Sequence, residues 1–174
     1  LNMLVTNMKK NLNIIFSQGF LHVENGEIVE GNGDPILLRG FGLGGWLVPE
    51  GYMLSNSYIE GFESPTEIEN HIEDLIGADL AEEFWELYRS NYVNKTDIDQ
   101  LAEWGMNHIR VPFHYKQFSE NPGSVNPLGY EIVDSLLAWC APYNMYIILD
   151  MHCAPGAQNG GPISDSDGTA RLWL

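Results

Sequence analysis

The run Tyr146-Ile147-Ile148-Leu149 breaks directly into Asp150, His152 and then Pro155-Gly156. A short apolar, β-branched run bounded by polar and turn-forming residues reads as a strand, buried on both faces, that ends in a loop. Side chains alternate along a strand, so Asp150 and His152 share one face at its C-terminal end while Met151 and Cys153 take the other. In parallel α/β folds that end of a strand is where ligands bind. The stretch therefore reads as the floor of a site, and the rest of the chain is read for what could reach it.

Upstream, Gly19–Val23 and Glu27–Val29 flank Glu24-Asn25-Gly26, and Asn-Gly between apolar runs predicts a hairpin. Ile36–Gly42 predicts a buried strand, followed by a glycine-rich loop carrying Trp46, Glu50 and Tyr52. Apolar spacing predicts a helix from Pro65 to Ile76, with Ile68, Ile72, Leu75 and Ile76 inward and Gly77 as its stop. A second helix, Leu80–Tyr92, places Leu80, Phe84, Leu87 and Tyr88 on one stripe. A third is N-capped by Thr96, buries Ile98, Leu101 and Ala102, and ends at Gly105.

His108–Pro112 reads as a short strand stopped by its proline, and a polar loop with Pro122, Gly123, Pro127 and Gly129 follows. Tyr130–Cys140 is helical, with Ile132, Val133, Leu136, Leu137 and Cys140 on one face. Strand, helix, strand in close succession is the repeat of the α/β class.

A chain of 174 residues, 44% of them hydrophobic, suffices for one globular domain. Its formal charge of -16 sets it against nucleic acid and anionic membrane surfaces and favours a neutral or cationic ligand. Cys140 and Cys153 form neither a disulfide framework nor a zinc spacing, and no cofactor is implied. Met8-Lys9-Lys10 and the broken apolar run to Phe16 read as a degenerate export signal or an unstructured leader over residues 1–18. The first alternative predicts a secreted, periplasmic or cell-surface protein, the second a cytoplasmic one. Residues 19–174 then form the domain. Nowhere is there a run of about 20 apolar residues of the kind that spans a bilayer.

His152 can donate to a ligand hydroxyl or be satisfied in the core by Asp150, and its strand-end position favours the first. An Asp-x-His pair can also ligate a metal, although no second histidine pair stands near it. Arg110 lies among apolar neighbours, where a guanidinium requires a carboxylate that it would orient and keep ionised. Glu50, Tyr115 and Asn159 are individually ordinary: a surface acid, a core aromatic and a turn residue. Cys153 reads as a packed thiol rather than a nucleophile.

Three stretches taken together carry more. Leu37–Met53, Trp104–Tyr115 and Ile147–Gly160 resemble, in order and spacing, the first three strand-end motifs of glycoside hydrolase family 5, of the cellulase and exo-β-1,3-glucanase type, with a bacterial flavour. The resemblance implies the N-terminal part, about three strands, of a (β/α)8 TIM barrel preceded by a short β-hairpin, with its site at the C-terminal face. It implies retaining hydrolysis of glucan-like polysaccharides or oligosaccharides. By motif position Arg110 matches the arginine that orients the nucleophile, and His152 the histidine that hydrogen-bonds the sugar beside the cleaved bond. Glu50 and Asn159 match sugar-binding positions, and Tyr115 is a further candidate.

The family's acid/base glutamate, in an Asn-Glu-Pro motif, and its nucleophile have no counterpart in the chain, which runs only to Arg171-Leu172-Trp173-Leu174. The expectation is an incomplete catalytic domain, inactive by itself. Two other readings stand beside it: a metal-dependent TIM-barrel hydrolase using Asp150 and His152, and a non-catalytic carbohydrate-binding module.

Overall fold

The computed structural model describes residues 19–54, 60–121 and 123–172, so the expected leader lies outside the described residues. Strands β1 (His22–Glu24) and β2 (Glu27–Val29) pair antiparallel around Asn25 and Gly26, whose φ angles of 51° and 85° are those of a tight hairpin turn. Then come β3 (Gly40–Gly42), helices α1 (Pro65–Ile76), α2 (Ala78–Tyr92) and α3 (Lys95–Glu103), β4 (His108–His114), α4 (Pro127–Cys140) and β5 (Tyr146–Cys153). Strands β3, β4 and β5 form a 3-stranded sheet in that order. The Arg39 carbonyl accepts from Asn107, Leu43 N–H donates to the Arg110 carbonyl, and His114 N–H donates to the Leu47 carbonyl. Partner numbers rise together, so the β3 and β4 segments run parallel.

The chain divides into two compact units, and β4 and β5 each contribute residues to both. The first comprises the described residues through Phe41, Lys95–Ile109 and Tyr130–Ile148. Its core is Ile98, Leu101, Ile109, Leu136, Cys140 and Met145, all buried. Asn107 fastens its strands: the side-chain oxygen accepts from Arg39 N–H at 2.8 Å and the amide nitrogen donates to the Leu37 carbonyl at 2.9 Å. The Asn107 carbonyl meanwhile takes the Tyr146 N–H at 2.9 Å. Gly40 makes room for the His108 ring, since a Cβ would sit 2.2 Å from it and force the ring to move.

The second unit comprises Gly42–Asn94, Arg110–Gly129 and the described residues from Leu149 on. Helix α1 opens with a capping box, Ser64 Oγ accepting from Glu67 N–H and Glu67 Oε2 from Ser64 N–H, with Pro65 in its first turn. Helix α2 turns Ala81, Trp85 and Tyr88 inward. Tyr88 Oη donates to the Gly45 carbonyl at 2.7 Å, Tyr92 Oη to that of Gly44 at 3.0 Å, and Trp46 Nε1 to that of Arg89 at 2.9 Å. Gly45 has φ of 80°, and a Cβ there would lie 2.4 Å from the Tyr92 hydroxyl. These bonds anchor the loop in which Trp46, Leu47 and Val48 are buried and from which Glu50 projects.

Several sequence expectations are corrected. Ile36–Gly42 is not a buried strand: only Gly40–Gly42 is extended, and Leu37 and Phe41 are exposed at an edge of the sheet. Strand β5 also lies at an edge of this sheet; Ile148, Leu149 and Met151 are exposed rather than buried on both faces, and the strand runs on through Asp150 to Cys153. Strand β4 passes through Pro112 to His114. The backbones of Arg110 and His114 bond toward the β3 side, to Leu43 and Leu47, and Pro112, between them, falls opposite the Gly44–Gly45 turn, where its missing N–H interrupts neither bond. Leu75 and Ile76, at the end of α1, are exposed rather than inward, and on α2 Leu80, Phe84 and Leu87 face outward while Tyr88 and Tyr92 bond the glycine turn. Helix α3 begins at Lys95, so Thr96 lies inside it, and α4 begins at Pro127, absorbing part of the expected loop.

Candidate active site

Within the second unit, Arg110 of β4 and Asp150 and His152 of β5 converge. Alternation puts Asp150 and His152 on one face, as the sequence predicts, and Arg110 reaches both. An Arg110 Nη2 N–H donates to Asp150 Oδ2, and the same nitrogen lies 3.3 Å from His152 Nδ1, which is itself 3.0 Å from Asp150 Oδ2. The three side chains are 44%, 29% and 28% exposed. The expected carboxylate partner of Arg110 is thus Asp150, and the pair is open to solvent rather than entombed. Nδ1 faces a pure donor on one side and a carboxylate on the other, and a neutral imidazole satisfies only one of them at a time.

Glu50 closes the cluster from the loop after β3. It is only 3% exposed, and its Oε1 lies 3.9 Å from His152 Nε2 with no hydrogen-bond partner among the described residues. Its Oε2 accepts from Tyr52 Oη at 3.3 Å. Burial pushes the Glu50 carboxyl above its ordinary range, against the pull of His152, the Tyr52 hydroxyl and Arg110. A buried carboxylate oxygen lacking a donor is an expensive thing to keep, and a ligand hydroxyl beside the imidazole would satisfy it.

The strand end is braced by a residue the sequence reading missed. Gln158 Nε2 donates to the His152 carbonyl at 2.6 Å, and its Oε1 accepts from Ala154 N–H at 3.4 Å. The turn that returns Gln158 to the strand has Gly156 and Ala157 at φ of 75° and 73°. Pro155-Gly156 was the available signal for that reversal.

Two predicted residues stand apart. Asn159 uses its side-chain oxygen to accept from Gly161 N–H at 2.8 Å, closing an exposed turn. Tyr115 begins a short 3-10 turn, packs its ring 4.8 Å from that of His114, and lines a separate cavity. Cys153 is buried, with its thiol pushed up to about 12 by burial and then by Asp165, Glu50 and Asp150, which fits the packed role expected of it.

A second polar cluster in the same unit went unseen in the sequence. His114 Nδ1 accepts from Lys116 N–H at 3.2 Å, leaving the ring proton on Nε2, which donates to Asp165 Oδ2 at 2.9 Å. Asp165 also accepts from Thr66 N–H at 3.1 Å and Thr66 Oγ1 at 2.6 Å, and the Lys116 ammonium donates to Thr66 Oγ1 at 3.2 Å. Among the described residues no group of three or more His, Cys, Asp or Glu is arranged to hold a metal ion, and no helix is long and apolar enough to cross a membrane.

Sequence comparison agrees with the motif reading. The family model for cellulase, glycosyl hydrolase family 5, matches residues 66–174. The chain belongs to glycosyl hydrolase family 5, which implies a (β/α)8 barrel. Among similar proteins, a beta-xylosidase of Phanerodontia chrysosporium is 33% identical over 159 residues, covering 88% of this chain and 32% of that protein. A glucan 1,3-beta-glucosidase of Pichia angusta is 33% identical over 125 residues, 71% of this chain and 28% of the other.

Among solved structures, the crystal structure of rutinosidase from Aspergillus niger superposes with a TM-score of 0.59 at 26% identity, covering 77% of this chain and 37% of that one. The chain therefore spans about a third of the length of the curated relatives it matches. These relatives are fungal, which corrects the expectation of a bacterial flavour.

Proposed function

We propose that residues 19–174 supply the N-terminal part, about three strands, of the barrel of a retaining β-glycoside hydrolase acting on glucan-like polysaccharides or oligosaccharides. The observation that carries this reading is the convergence of Arg110 from β4, Asp150 and His152 from the last residues of β5, and the donor-starved Glu50 from the loop after β3. Retaining hydrolysis uses two carboxyl groups about 5–5.5 Å apart, one a nucleophile and one an acid/base. The chain contains no Asn-Glu-Pro, so in this reading both carboxyls come from elsewhere in the complete enzyme.

Arg110 is then the donor that orients the nucleophile and keeps it ionised. Its two-sided guanidinium holds Asp150 as well, and Asp150 in turn steadies the imidazole. His152 offers Nε2, and Glu50 its free oxygen, to adjacent hydroxyls of one sugar ring. Asn159, on the exposed turn after β5, and Tyr115, in its separate cavity, are in this reading sugar-contact positions away from the Glu50–His152 cluster. Export from the cytoplasm belongs to the same reading, since a polysaccharide substrate lies outside the cell. A metal-dependent hydrolase is less well supported, because a cation at Asp150 Oδ2 would have to displace a guanidinium and an imidazole that already share that oxygen.

Two measurements test the proposal. The 174-residue chain should show no turnover of an aryl β-glucoside; turnover abolished by His152→Ala would overturn the need for carboxyls from outside it. In a protein carrying these residues together with Asn-Glu-Pro, Arg110→Lys should lower kcat/KM by about a hundredfold, since lysine keeps the charge but loses the two-pronged donor. Wild-type turnover would remove Arg110 from the site.

A further inference from the structure

Beside the buried His114 pair lies a cavity of about 350 Å³, bordered by Thr66, Tyr115, Lys116, Asp165, Asp167 and Arg171. That volume is at the small end of ligand pockets, with room for a short saccharide. We propose that this cavity is a second saccharide subsite, separate from the cluster around Glu50 and His152; the assignment rests on the glycosidase reading above.

The charges decide the ligand class. An anion would look for the amides at the start of α1, but Thr66 N–H is given to Asp165 and Glu67 N–H to Ser64 Oγ. It would also meet the carboxylates of Asp165 and Asp167. A cation would meet Lys116 and Arg171. What remains is a neutral ligand able both to donate and to accept.

Hydroxyl groups do both. Among the described residues the Lys116 ammonium donates to Thr66 Oγ1, and a primary ammonium has three donors. Arg171 donates to Asp167, which holds its guanidinium charged, with support from Tyr115; five donors again exceed those partners. Both side chains line a cavity whose rim includes the Tyr115 ring, and donors beyond those used within the protein beside an aromatic ring are the combination that recognises a sugar by hydroxyl and ring face together. Tyr115, which motif position offers as a sugar contact, lies in this cavity and not beside His152.

Titration of the 15N-labelled chain with a β-1,3-linked glucose trisaccharide tests the assignment. The expected result is amide shifts at Lys116 and around Ser166–Gly168 as well as at His152. Lys116→Met and, independently, the more exposed Arg171→Gln should each weaken the trisaccharide by about tenfold while thermal melts show the fold intact. Shifts confined to the His152 cluster, or unchanged affinity in both variants, would overturn the subsite and leave the glycosidase reading standing. No shifts at either place would overturn both.

Discussion

Two polar clusters grow from the same strand and differ in almost every physical respect. At Arg110 the arginine, aspartate and histidine are partly open to water, one imidazole nitrogen is contested by a donor and an acceptor, and the buried Glu50 keeps an oxygen without a partner among the described residues. At His114 both ring nitrogens are engaged, Asp165 accepts three hydrogen bonds, and His114 and Asp165 are only 7% and 10% exposed. A satisfied, buried network fixes one backbone arrangement; an exposed and unsatisfied one holds free energy that a ligand can release. By this comparison the His114 cluster ties α1 to the loop after β5, and the Arg110 cluster is there to be completed.

The largest effect should come from breaking the satisfied cluster. Asp165→Ala strips partners from His114 Nε2 and Thr66 in a buried setting and forces alanine into a left-handed φ of 51°. Urea unfolding should show a loss of about 3–5 kcal/mol, the range for removing one partner of a buried pair. Burial by itself would raise the Asp165 carboxyl, but the bonds from His114 and Thr66 outweigh it and hold the group far below the usual carboxylate range. Its stabilisation is therefore complete above the unfolded value of about 4, and is lost as the pH falls through the folded one. If the variant is as stable as wild type at neutral pH, the division into a brace and an open site fails.

The open cluster should respond with the opposite sign. Because Glu50 is raised by burial, its favourable contribution is present below the unfolded value of about 4.3 and is lost as the pH rises through the folded one. At neutral pH the buried charge is a net cost. Glu50→Gln should raise stability at pH 7 by about 1 kcal/mol, with the gain vanishing near pH 4, while saccharide binding weakens. A destabilised Glu50→Gln protein would mark Glu50 as one more structural partner.

These clusters were not equally legible. Asp150 and His152 could be placed on one face because strand alternation is a local rule, and Arg110 could be assigned a carboxylate because a guanidinium among apolar residues needs one. Glu50 was visible only through the motif it belongs to; its burial depends on the anchoring of the Trp46–Val48 loop by Tyr88 and Tyr92, which no local pattern announces.

The His114 cluster was invisible. Thr66 and Asp165 are ordinary residues far apart in the chain, joined only by the fold. The stripe on α2 was misread for a related reason: Leu80, Phe84 and Leu87 have helical spacing, but hydrogen bonds from tyrosine to the glycine turn, not apolar area, decide which face is inward.

The smallest predicted effect probes the hydrogen bond that the Glu50 carboxyl receives from Tyr52. Tyr52 Oη donates to Glu50 Oε2 at 3.3 Å, near the long limit for such a bond, and it is one of the groups holding the Glu50 carboxyl down against burial. Tyr52→Phe removes that donor and little else, since Tyr52 is itself exposed. Glu50 should then titrate at a higher pH in a carbon-detected NMR titration, and stability at neutral pH should fall by about 0.5 kcal/mol, the low end for a single neutral donor. Because the donor is withdrawn only from the charged form, the loss should fade below pH 4, where the carboxyl is protonated in both proteins. An unmoved Glu50 titration would mean that the phenol does not bond the carboxylate at all. Both oxygens of Glu50 would then lack donors, and the contrast with fully satisfied Asp165 would be sharper still.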